Sequence, residues 1–110
     1  MPGMSGVPEI QVAAVPAEAF VLDVREPNEW VAGHAVGAMH IPMNQVPARL
    51  SELPDAEIVV ICKSGGRSAQ VTQYLLANGR QAVNLAGGTM AWHAAGRPMA
   101  SETGQDPFVA

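Results

Sequence analysis

The one cysteine of the chain, Cys62, follows the run "EIVVI" and opens the stretch "CKSGGRS". Two cations, two glycines and two serines therefore follow a thiol in immediate succession. A thiol attacks only as thiolate, and cations, free backbone amides and helix N-termini all favour that form. Gly65 and Gly66 are expected to supply the positive φ angles of a tight curl. A loop wound this way turns successive N–H groups inward and makes an anion nest. A helix beginning near Ser68, its expected N-cap, would add free amides and the positive end of its dipole. Lys63 and Arg67 would add full charges. The residues thus point to Cys62 as a catalytic nucleophile and to Lys63, Ser64, Gly65, Gly66, Arg67 and Ser68 as a substrate-binding cradle. A buried small hydrophobe after an apolar strand would explain the cysteine but not the loop behind it.

Elements on both sides must deliver this loop. "EIVVI" (57–61) is β-branched and reads as a buried strand, and "SAQVTQYLLANG" (68–79) places Val71, Tyr74 and Leu75 on one side of a helix that Gly79 ends. "FVLDV" (20–24) and "QAVNL" (81–85) read as further strands, with weaker candidates at 9–15 and 37–42. Helices are expected at 27–33, with Pro27 in the first turn, at 44–53 from apolar residues 46, 50 and 53, and at 87–96. Strands alternating with helices predict an α/β domain, a mostly parallel five-stranded sheet flanked by helices on both faces. Ligands of such sheets sit beyond the carboxyl ends of the strands, where Cys62 lies. Asp23 and Arg25 end another strand and are candidates for orienting the loop or touching substrate. An ion pair of Arg25 with Glu26 or Glu29 is the plainer reading of them. His34 and His40 read as structural, and Trp30 and Trp92 as anchors of a core short of aromatics.

Composition bounds the rest. The 110 residues make one domain, expected at 9–98 between a flexible leader (1–8) and a C-terminal tail (99–110). A net charge of −4 and a single lysine argue against nucleic acid or an acidic membrane as partner. The N-terminal residues lack the basic and apolar regions of a signal peptide, so a cytoplasmic location is expected. One cysteine allows no internal disulfide, and with three histidines it has no metal-ligand spacing; neither metal nor organic cofactor is expected. The expected oligomeric state is a monomer or a weak dimer.

"LDVREPNEWVAGHAVGAMHIP" (22–42), "VVICKSGGRS" (59–68) and "NLAGGTMAW" (84–92) resemble, in that order, three segments of the rhodanese-like sulfurtransferases. The resemblance runs from Val21 to Pro98. It implies a single-domain rhodanese in which Cys62 accepts a sulfane sulfur as a persulfide held by the loop Lys63–Ser68. Donors implied are thiosulfate or another persulfide; acceptors are cyanide and small or protein thiols. Ala35 stands where the family usually has a larger aliphatic residue. Two rivals are weaker. Cysteine phosphatases and arsenate reductases place five residues between Cys and Arg, whereas "KSGG" supplies four. A non-catalytic or persulfide-carrying rhodanese-like module acting on a protein partner is the other alternative, although modules that only bind often lose the cysteine.

Overall fold

The structure, a computed structural model, describes residues 7–110. Of the leader expected at 1–8, positions 1–6 lie outside the described residues. Strand β1 (Glu9–Ile10) leads through a 3-10 turn into β2 (Phe20–Asp23), helix α1 (Pro27–Ala32), β3 (His34–Ala35) and β4 (Met39–His40). Two 3-10 segments (Met43–Gln45 and Pro47–Glu52) precede β5 (Ile58–Ile61), α2 (Gly66–Ala77), β6 (Ala82–Leu85), α3 (Gly88–Ala94) and β7 (Met99–Ala100). Five strands form one sheet in the order β1-β6-β5-β2-β4, each neighbouring pair parallel. This is the α/β architecture the strand–helix alternation predicts.

The sequence of β5 explains its central position. Side chains alternate between sheet faces. Ile58 and Val60 pack with Val71 and Leu75 of α2, while Val59 and Ile61 pack with Trp92 of α3. All four residues are buried, as expected of a parallel strand covered twice. Each such side chain contributes about 1.5–3 kcal/mol relative to exposure. The strand that delivers Cys62 is therefore the most firmly held part of the sheet.

Several expectations at the periphery are corrected. The strand expected over 9–15 is formed only at Glu9–Ile10, and that over 37–42 only at Met39–His40. The helix expected over 44–53 is two 3-10 segments, with a break at Arg49 (φ −120°, ψ 19°). Its end is held from outside: the Arg80 guanidinium donates to the carbonyl of Leu50 (2.9 Å), which also accepts the Leu53 N–H, and to that of Leu53 (3.2 Å). Residues 99–110, expected as a tail, fold back on the domain. Met99 and Ala100 pair antiparallel with Ala35 and His34, and the Phe108 N–H donates to the Ala32 carbonyl (3.1 Å). Gly33 permits that approach, because a Cβ there would collide with the Phe108 backbone. The Phe108 side chain stays exposed; its backbone makes the contact.

The two tryptophans differ from the shared role expected of them. Trp92 is buried, and its indole N–H donates to the Pro98 carbonyl (2.9 Å). Trp30 lies outside both core clusters, half-buried and stacked between His34 (3.5 Å between ring centroids) and His40 (4.8 Å). The imidazoles bond the carbonyls of Trp30 and Arg25 respectively, so both histidines hold backbone. Among the described residues no helix is long and apolar enough to cross a membrane.

Candidate active site

Cys62 leaves the carboxyl end of β5 between β2 and β6, in the middle of the sheet. It is 1% exposed, and a core cysteine would look the same by burial alone. Its hydrogen bonds distinguish it. The Gly65 N–H donates to Sγ at 3.1 Å and the Ser68 hydroxyl at 3.2 Å. Burial pushes the thiol up; the Ser68 hydroxyl and the amides of Ser68, Gly65 and Ser64 more than offset this. The thiol therefore lies below its ordinary value.

The loop reaches this geometry with one strained position rather than two. Gly65 has φ +119° and precedes the first helical residue of α2. Gly66 is already helical, and a Cβ on it would meet nothing within 4 Å. Ser68 is not the N-cap: Gly65 takes that place, leaving the Ser68 hydroxyl, in the first turn of α2, free to bond the sulfur.

Helix α3 fixes the loop from behind. The Thr89 N–H and hydroxyl both donate to the Cys62 carbonyl (2.8 and 3.0 Å), and the Met90 N–H donates to that of Lys63 (3.1 Å). In a planar trans peptide the N–H points opposite to the C=O. Pinning the Lys63 carbonyl to α3 thus turns the Ser64 N–H the other way, where it serves the sulfur. This contact explains Gly88, the second glycine of the pair. A Cβ on Gly88 would lie 2.6 Å from the Lys63 carbonyl and closer still to that of Cys62.

The cations contribute less than their number suggests. Arg67 donates through both terminal nitrogens to Glu29 of α1 (2.8 and 3.0 Å). The pair holds the Glu29 carboxyl below its ordinary value and raises Arg67. Lys63 is half-buried and enters no ion pair among the described residues. Amides and a hydroxyl, rather than the two charges, carry the downward shift of the thiol.

Asp23 and Arg25 are fully buried and bond each other, correcting the expected pairing of Arg25 with Glu26 or Glu29. Arg25 donates from Nε (3.0 Å) and Nη2 (2.8 Å) to the Asp23 carboxylate, and from Nη2 to the Gly33 carbonyl (2.7 Å). None of these bonds reaches the Cys62 loop.

Sequence reasoning missed three residues that touch the loop. Asn84 in "QAVNL" is a buried polar residue on an apolar strand, a usable signal. Thr89 follows the two glycines that bring α3 close. Glu29 carries no signal, because it lies 38 residues from Arg67. Among the described residues no three His, Cys, Asp or Glu side chains gather as for a metal ion.

The family profile described as Rhodanese-like domain matches residues 10–95, the stretch that contains both core clusters and the loop. The chain belongs to this family. A sulfurtransferase of Allochromatium vinosum is 37% identical over 89 residues, covering 79% of this chain and 83% of that protein. Thiosulfate sulfurtransferase 16, chloroplastic, of Arabidopsis thaliana is 40% identical over 91 residues, 70% of this chain and 76% of its own. Among solved structures, a rhodanese-related protein from Thermoplasma volcanium superposes with a TM-score of 0.79 at 31% identity. It covers 84% of this chain and 97% of that one. In this chain the fold carries a cysteine-centred loop at the carboxyl end of its parallel sheet.

Proposed function

We propose that this rhodanese-like domain is a sulfurtransferase that works through a persulfide on Cys62. The observation that carries the proposal is the set of donors converging on one sulfur, the Gly65 N–H and the Ser68 hydroxyl foremost. In the first step the Cys62 thiolate attacks the outer sulfur of thiosulfate or of a persulfide. With thiosulfate the S–S bond breaks, its electron pair leaves with sulfite, and Cys62–S–S⁻ remains. In the second step a thiolate or cyanide attacks the terminal sulfur, and the electron pair of that S–S bond returns to Cys62. Charge and electrons balance in both steps, so neither requires an oxidant or a reductant. Each half is covalent transfer through an activated nucleophile. The amides that favour thiolate also favour the anionic persulfide, which is why no separate general base is needed.

Intact-protein mass spectrometry before and after thiosulfate tests the proposal. Wild type is expected to gain one sulfur mass that cyanide removes; Cys62→Ser is expected to gain none while melting at a similar temperature. Gain only from a persulfide donor would assign the physiological donor to that class. No gain from either donor would overturn the proposal.

A further inference from the structure

Asn84 lies on β6, 1% exposed, directly under the loop. Its Nδ2 donates to the Gly65 carbonyl (3.1 Å) and, at 3.5 Å, to the Glu9 carboxylate. Those two acceptors fix which end of the amide is which, so Oδ1 faces Ser68 and accepts its hydroxyl at 2.5 Å. One side chain therefore touches both residues that bond Cys62 Sγ directly. Gly65 is clamped between them, its N–H on the sulfur and its C=O on Asn84.

Ser68 adds a constraint that proton counting exposes. A serine hydroxyl has a single proton to donate. Two acceptors stand within reach, Asn84 Oδ1 at 2.5 Å and Cys62 Sγ at 3.2 Å. The contact to Asn84 is short for O–H···O, whereas 3.2 Å is ordinary for the larger sulfur, so the amide oxygen is the resting acceptor. An ionised sulfur is a stronger acceptor than a thiol and draws the same proton to itself.

Resting on the sulfurtransferase reading above, we infer that Asn84 is the positioning residue of the reaction, holding the Gly65 turn and competing with Cys62 for the Ser68 proton. The charged groups around this network are Glu9 from β1, Lys63 in the loop and Arg67 of α2 with its partner Glu29 of α1. Of these, Glu9 meets Asn84 directly. The competition links the readiness of Cys62 to ionise with a residue that never contacts the sulfur.

The rate of Cys62 alkylation by iodoacetamide as a function of pH reads this link without any sulfur donor, so it can fail independently of the persulfide experiment. Asn84→Asp would, once ionised, give Ser68 a charged acceptor and leave the Gly65 carbonyl without its donor. Its midpoint is expected to rise by about one pH unit, roughly a tenfold slower reaction well below the midpoint. A carboxylate also acts on the sulfur through charge alone, so the same change is made in the Ser68→Ala background. The shift is expected to fall to less than half there; an equal shift in both backgrounds, or none in either, overturns the inference. If Asn84→Asp does not fold, Asn84→Ala enters the same cycle. Coupling with Ser68→Ala is then expected, and strict additivity overturns the inference.

Discussion

Two neighbouring strand ends put buried polar groups to opposite uses. β2 and β5 pair with Asp23 beside Ile61, so the Asp23–Arg25 turn and the Cys62 loop leave the same edge of the sheet. At the first, the charges are spent on each other and on the Gly33 carbonyl; Arg25 Nη1 is the one buried side-chain atom there without a partner. At the second, donors from three residues converge on a sulfur while the peptide carbonyls behind them are tied to α3 and Asn84. Both regions look polar and both end a strand in the sequence. Charge at a strand end is therefore a poor guide to chemistry. A better guide is whether several donors converge on one atom that can act as a nucleophile.

The sharpest way to break this contrast is at the closed end. Arg25→Met leaves Asp23 buried without its partner, and a loss of about 3–5 kcal/mol is expected in urea unfolding. Folded protein that remains should still load sulfur. Loss of loading with stability intact would move the pair into the site.

The open end is tested by its two glycines, which the structure separates. Gly65→Ala places a side chain at φ +119° and is expected to cost about 1–2 kcal/mol. Gly66→Ala, in a helical and open position, is expected to stabilise by up to about 1 kcal/mol. Paired melting curves decide, and equal effects would mean the loop does not depend on the Gly65 conformation.

Linkage gives a smaller effect with a definite sign. The Cys62 thiol lies below its ordinary value of 9.0 in the folded protein, so folding favours the thiolate. That contribution is fully present above 9.0 and is lost as pH falls through the folded value. The stability difference between wild type and Cys62→Ser is expected to grow with rising pH in that window. A difference flat with pH, measured by denaturation at several pH values, would contradict the role of the donors.

The smallest change concerns Arg67. Its bidentate, partly buried pair with Glu29 is worth about 1 kcal/mol, so Glu29→Gln is expected to lower the thiosulfate KM by about fivefold. A monoanionic persulfide donor should respond less than the dianion. Equal responses would indicate that Arg67 does not meet the donor.

The core of this molecule was legible because its signals are local. Four consecutive apolar residues at 58–61 mark a doubly covered strand, and a cysteine before glycines and cations marks a loop worth reading. The failures were long-range. Whether Ser68 caps a helix or bonds sulfur depends on Gly65 alone taking the positive φ (+119°), and two adjacent glycines do not say which of them turns. Arg67 read as a free cation because Glu29 is distant in sequence. Residues 99–110 read as a tail because a two-residue pairing with His34–Ala35 leaves no periodic pattern.

The sheet tapers toward its margins, and that has a colloidal consequence. Its three inner strands run four residues each, whereas the outermost strands, β1 and β4, run only two. Unpaired edge backbone is a template for strand addition by another molecule. Here the template on either side is about 7 Å long, at roughly 3.3 Å per residue. An interior of nearly continuous Val, Ile and Leu is thus bordered by outer strands too short to seat a long added strand.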